Sequence, residues 1–167
     1  MDSIPVVCLT GQVATHLIGS DAFQECDTTG ITRPCTKYNY LVKEAEQLAR
    51  CLHEAFYVAR SGRPGPVVVD LPKDVQLTPA PYHCPATVRH RTYRPRRRPA
   101  QGGIERAADL LARAERPVIY TGGGVINSGP AAAETLTRLV RETGFPCTST
   151  CMGLGGFPMS DPHFLGM

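Results

Sequence analysis

A chain of 167 residues with 42% hydrophobic and 20% charged side chains has room for one ordinary domain, two small ones, or pieces of larger ones. Its net charge of +3 excludes the strong charge bias of a disordered or broadly polyanion-binding chain. No apolar run approaches the roughly 18 residues of a membrane span, so no membrane partner is expected.

Glycine (16) and proline (15) fall between apolar runs and read as turns, not as a low-complexity tract. Met1-Asp2-Ser3-Ile4-Pro5 reads as free of a signal-peptide core. The seven cysteines are odd in number and form no Cys-x-x-Cys pair, which points to reduced thiols in a cytoplasmic setting. Cys8, Cys51 and Cys147 sit in apolar segments and read as buried thiols.

Val6 to Leu9 reads as a buried strand ending at Thr10-Gly11, and Gln12 to Gly19 as a loop. Asp21 to Cys26 reads as a short helix capped by Ser20 or Asp21. Ala45, Leu48, Ala49, Leu52, Ala55, Phe56 and Ala59 follow helical spacing, with Glu44, Glu46, Arg50 and Glu54 mostly on the other face. That helix should stop near Gly62. Pro66 to Pro72, a β-branched run between prolines, reads as a buried parallel strand. Strand, long helix, strand is the rhythm of an α/β fold.

From Thr78 to Pro99 the pattern breaks at five irregularly placed prolines. Arg89, Arg91, Arg94, Arg96, Arg97 and Arg98 crowd its second half, but no basic domain supports them, so the segment reads as a solvated linker and no nucleic-acid partner is expected. The rhythm then resumes. Ile104, Ala107, Ala108, Leu111 and Ala114 form a helix face, and Pro117 to Tyr120 a strand. Thr121-Gly122-Gly123-Gly124 turns directly at its end. Pro130 opens a helix lined by Leu136, Leu139 and Val140, and Gly144 stops it. Phe145 to Thr148 reads as a strand, Met152 to Gly156 as a second glycine-rich loop, and Leu165-Gly166-Met167 as an end without a closing element.

Four features invite a functional reading. A glycine turn after a parallel strand lets backbone approach a phosphate, although Asn127 stands where a dinucleotide fingerprint has glycine. In Ser61-Gly62-Arg63-Pro64-Gly65-Pro66, two glycines and two prolines either form a plain helix stop or fix Arg63 to grip an anion. Asp21 to Glu25 presents polar groups. Lys37, in Lys37-Tyr38-Asn39-Tyr40, either faces an anionic substrate or is simply solvated. The five histidines show no metal-ligand spacing.

Together these segments resemble one family. Thr10-Gly11-Gln12-Val13, Ile18 to Glu25, Thr36 to Val42, Ser61 to Val67 and Asp70-Leu71-Pro72-Lys73-Asp74 look like the large catalytic subunit of acetolactate synthase. Pro117 to Ser128 and Thr148 to Gly155 continue the match in the same order. The resemblance implies a parallel-sheet, three-layer α/β chain: the C-terminal part of a thiamine pyrimidine-binding domain over residues 1–77, a Pro/Arg-rich linker over 78–100, and the N-terminal part of a Rossmann-like central domain over 101–167.

It also implies thiamine diphosphate, Mg²⁺ and FAD as cofactors. Such enzymes decarboxylate pyruvate and join the two-carbon unit to a second 2-oxo acid, on the route to valine, leucine and isoleucine. The implied partners are the rest of the catalytic subunit, a second copy in a dimer or tetramer, and a small regulatory subunit. Arg63, Gly123 with its neighbours Gly122 and Gly124, and Thr150 with Cys151 match FAD-contacting positions. Phe23 and Gln24 match active-site residues, and Lys37 and Lys73 match lysines of the access channel. Ala14 replaces a proline tied to herbicide sensitivity, Cys151 a leucine and Tyr38 a histidine. The activating glutamate is expected upstream of Met1, and no Gly-Asp-Gly segment followed by Asn is present to hold metal and diphosphate, so the chain alone is expected to be inactive. Rival readings are another thiamine-dependent carboligase such as glyoxylate carboligase, and a flavin- or nucleotide-binding module.

Overall fold

The computed structural model describes residues 2–96 and 98–167, in two compact units, Ser3–Arg97 and Arg98–Met167. Both are α/β with parallel sheets. In the first unit β1 (Val7–Gln12), β2 (Tyr38–Leu41) and β3 (Val67–Pro72) form a sheet in the order β1–β3–β2. Val67 lies opposite both Val7 and Tyr38. β3 therefore has a neighbour on each side, and its β-branched run is almost wholly buried, as a central parallel strand requires.

β1 departs from the expectation of a buried strand. It is an edge strand, and Cys8 and Leu9 are exposed, so Cys8 is not a buried thiol. Cys51 and Cys147 are buried. β2 was invisible to the periodicity, because Tyr-Asn-Tyr-Leu is too short and too polar to make an apolar run; pairing with β3 creates it.

The helix expected over residues 21–26 does not form. Asp21 and Gln24 adopt positive φ (58° and 65°), which a right-handed helix cannot contain. The Glu25 carboxylate instead accepts the N–H groups of Gly19 and Ala22, and these bonds lower its pKa. α1 (Thr28–Thr32) follows, capped by Asp27, whose Oδ1 accepts the Gly30 N–H at 2.9 Å.

α2 (Ala45–Arg60) packs Cys51, Ala55, Val58 and Ala59 against Val67 and Val69. Two flank positions differ from the expected faces. Phe56 is exposed, and Glu54 is buried, accepting the Tyr40 hydroxyl at 3.2 Å and facing Arg50 at 3.5 Å. Burial, with the Glu54 carboxylate beside it, raises the Tyr40 pKa. After α3 (Lys73–Leu77) the described residues form no regular element before residue 103. Arg89, Arg91, Arg94, Arg96 and Arg98 are exposed, and Arg97 lies outside the described residues. The segment is nevertheless not uniformly solvated. His90 is buried edge-on against Tyr38, with ring centres 4.6 Å apart, and Tyr93 packs on Tyr57.

The second unit holds α4 (Gly103–Ala112), β4 (Ile119–Thr121), α5 (Gly123–Asn127), α6 (Pro130–Thr143) and β5 (Cys147–Ser149). β4 and β5 are parallel, with Ile119 opposite Cys147. Pro130 starts α6, and Gly144 ends it at φ 69°, a left-handed cap that favours glycine. Val140, Cys147 and Phe157 form the core, with Ile119, Leu136 and Phe164 against it. The apolar spacing of α4 gives the expected helix without the expected burial: Ile104 and Leu111 are exposed, as is Leu139 of α6.

The tail, expected to end without a closing element, runs beside β5. Cys147 N–H donates to His163 O at 2.9 Å, Leu165 N–H to Cys147 O at 2.8 Å, and Ser149 N–H to Gly166 O at 3.2 Å. Asp161 fixes its approach. This buried carboxylate accepts the His163 backbone N–H (3.0 Å), Arg141 Nε of α6 (2.9 Å) and His163 Nδ1 (2.9 Å), and these donors hold its pKa down at about 2. A carboxylate whose folded pKa is depressed stabilises the fold above its unfolded pKa, and loses that contribution as pH falls through the folded value. The urea midpoint should therefore drop between about pH 4 and pH 2. Asp161→Asn should lower the midpoint at neutral pH and flatten its decline over that window; an unchanged slope would contradict this assignment.

Candidate functional site

β4 and β5 run in the same direction, so the loops that follow them emerge side by side at one sheet end. Ligands of open α/β sheets bind at such carboxyl ends. The two loops touch through backbone. Thr150 N–H donates to Thr121 O at 2.8 Å, and the Thr121 and Ser149 hydroxyls lie 3.0 Å apart. A Cβ on Gly153 would stand 2.8 Å from Thr121 O and 2.9 Å from Gly122 Cα, and one on Gly123 would stand 3.3 Å from Met152 O. Glycine is required here for one loop to lie on the other. Gly124 differs, since nothing lies within 4 Å of a Cβ built there.

The crossing gathers Gly122, Gly123, Gly124, Thr150 and Cys151 at one place, with Cys151 exposed. Gly153 and Met152 are part of it too. The sequence signalled them only as a second glycine-rich loop, with nothing to say which segment they would meet. A groove of about 680 Å³ lies elsewhere on this unit, between α6 and residues 155–159, and none of the expected site residues lines it.

In the first unit the sheet sorts the expected residues to two ends. At the carboxyl end, Asp70 accepts Thr10 Oγ1 at 2.7 Å and Gln12 Nε2 at 3.0 Å, and Gln12 Nε2 also donates to Cys26 O at 2.6 Å. Those bonds tie the 19–26 segment to this end. Phe23 projects from it, 90% exposed, beside Gln24 at positive φ. Lys73, also exposed, is the first residue of α3. Asp74 accepts the hydroxyl and N–H of Thr15, which lowers its pKa. Gln12, Asp70 and Asp74 are the residues that sequence reasoning missed here; the alternation of β1 and the Asp70-Leu71-Pro72 strand end were the available signals.

At the amino end lie Lys37, just before β2, and Arg63, just before β3. Lys37 Nζ donates to Val58 O, to Ser61 O at 2.8 Å and to Tyr93 Oη at 3.1 Å. Arg63 Nε donates to Ser3 Oγ at 2.8 Å. Among the described residues no group of three or more His, Cys, Asp or Glu side chains is placed to hold a metal ion, and no helix is long and apolar enough to cross a membrane.

Residues 104–167 match the family described as thiamine pyrophosphate enzyme, central domain. Over 170 aligned residues covering 100% of the chain, 50% are identical to the acetolactate synthase isozyme 3 large subunit of Escherichia coli strain K12. The chain is a homologue of the acetolactate synthase large subunit. The acetolactate synthase large subunit of Haemophilus influenzae is 46% identical over 99% of the chain, and the acetolactate synthase of Mycobacterium bovis 48% identical over 100%. The chain spans 29%, 29% and 27% of these relatives' lengths. The matched part of those relatives is thus a segment of their length, and the central-domain match falls within the second unit.

Proposed function

We propose that these 167 residues are part of an acetolactate synthase catalytic subunit, and that their share of the work is to form flavin-contacting and active-site surface. The whole enzyme would decarboxylate pyruvate and join the two-carbon unit to pyruvate or 2-oxobutyrate. Whole-chain identity to acetolactate synthase large subunits supports this reading. The observation that carries the flavin part is the loop crossing, where the five expected contact residues of the central domain share one open, side-chain-poor surface.

That surface fits a flavin nucleotide. Gly122 and Gly123 let backbone and ligand approach closely, Gly124 faces open space, and Thr150 offers a hydroxyl. In the first unit, Arg63 carries a guanidinium suited to a phosphate or diphosphate. Phe23 and Gln24 would line the reaction chamber, with Lys73 providing positive charge at its entrance. Thiamine diphosphate, when bound, supplies the electron sink for decarboxylation. In this reading other parts of the subunit supply the Mg²⁺ site and the activating carboxylate. The implied setting is cytoplasmic, in a dimer or tetramer with a small regulatory subunit.

A Cβ built on Gly124 meets nothing within 4 Å, so Gly124→Leu extends a side chain from an open position. It is expected to leave the fold intact and to weaken FAD binding, read by flavin fluorescence, by at least about tenfold, or about 1.4 kcal/mol. Equal affinity in wild type and variant would remove the crossing from the flavin site. Supplied with pyruvate and all three cofactors, the chain by itself should form no acetolactate; formation would overturn the proposed division of labour.

A further inference from the structure

We propose that Lys37 and Tyr93 are positioning residues. Together they fasten the 61–65 turn, and with it Arg63, to the amino end of the first unit's sheet, and Lys37 faces this internal clamp in place of a ligand. The ammonium of lysine has three N–H donors. Here three acceptors meet it: Val58 O, Ser61 O and Tyr93 Oη. Val58 lies in the last turn of α2 and Ser61 caps it, so two of these acceptors are carbonyls at the helix's negative end, where a cation is favoured. The Lys37 backbone is fixed as well, since its N–H donates to Pro66 O at 2.7 Å.

The glycines of the turn are fitted to this clamp. A Cβ on Gly65 would stand 2.9 Å from Lys37 Cγ and Cδ, so the lysine stem crosses where only glycine leaves room. A Cβ on Gly62, itself at φ +59°, would stand 2.5 Å from Tyr93 Oη and 3.2 Å from Pro95 Cβ. Tyr93 closes the arrangement. Its hydroxyl donates to Ser61 O at 2.6 Å, and its ring lies 4.8 Å from Lys37 Nζ in cation–π contact. His90 holds Tyr93 in place: its Nδ1 accepts the Tyr93 N–H at 2.9 Å while its ring meets Tyr38, the residue after Lys37, edge-on. The stretch after α3 is thereby strapped onto the turn that carries Arg63. That Arg63 meets a flavin rests on the function proposed above; the clamp itself does not.

The chain has three lysines, and Lys43 and Lys73 are exposed. Amine acetylation followed by mass spectrometry on the whole chain should modify Lys37 roughly tenfold more slowly than either. Tyr93→Phe should speed Lys37 labelling and amide exchange over residues 61–65 by a similar factor. Labelling of Lys37 as fast as Lys43, with no response to Tyr93→Phe, would overturn the clamp. A second readout tests positioning. Tyr93→Phe should weaken FAD binding in the wild-type chain and have no further effect in an Arg63→Ala background; independent, additive losses would overturn the positioning role. Absence of FAD binding by a wild-type chain whose Lys37 is protected would count against the flavin site and leave the clamp standing.

Discussion

Gly153→Ala is expected to destabilise the second unit by about 2–4 kcal/mol, because the added methyl has nowhere to go. Its Cβ would meet Thr121 O at 2.8 Å and Gly122 Cα at 2.9 Å, both backbone atoms at the end of β4. A flexible side chain could swing aside; a strand end cannot. Relief requires the two loops to part, which also breaks the Thr150 N–H to Thr121 O bond and the packing of Met152 on Gly123. The same substitution at Gly124 provides the control. That residue is helical and nothing lies near its Cβ, so Gly124→Ala should be neutral or stabilising by up to about 1 kcal/mol through helix propensity. Urea unfolding of both variants separates steric contact from a general intolerance of the glycine turn. Equal midpoints for the two would show that the loops do not cross as described.

Phe157→Ala should be costlier still, at about 3–5 kcal/mol. The ring is 2% exposed and packs with Val140 and Cys147, the other two buried residues of that cluster, and with Phe164 at a ring-centre distance of 6.2 Å. A core this small has little to collapse into the vacated space. The loss is a large fraction of the roughly 5–15 kcal/mol that holds an ordinary domain. Cooperative unfolding of the second unit, followed by near-ultraviolet circular dichroism, should weaken sharply or disappear. Phe157→Leu, which keeps most of the volume, should retain it. A loss under about 1 kcal/mol for the alanine variant would place Phe157 outside the core.

Legibility in the sequence followed the range of the interactions. α2 and β3 were plain because their signals are local: a helical repeat of alanine and leucine, and a β-branched run closed by prolines. β2 was not, since four residues with a central asparagine become a strand only by pairing with β3. Asp21 to Cys26 had helix-like composition, but the Glu25 carboxylate and two positive-φ residues fold it into turns. The apolar stripe of α4 was correctly placed on a helix, yet a stripe does not say what will cover it.

The candidate site divides in the same way. Its residue types were legible from ordered motifs, and the second unit gathers Gly122 to Gly124 with Thr150 and Cys151. What no motif could show was that Gly153 makes the crossing possible, or that Lys37 turns inward. The latter depends on Tyr93, a residue from a stretch whose prolines and arginines advertised only solvent.

The most direct measurement is amide hydrogen exchange of the chain with and without FAD. Slowed exchange at residues 121–124 and 150–152 is the predicted result. Unchanged exchange at those loops under saturating FAD, or protection confined to the groove between α6 and residues 155–159, would contradict the assignment of the loop crossing to the flavin.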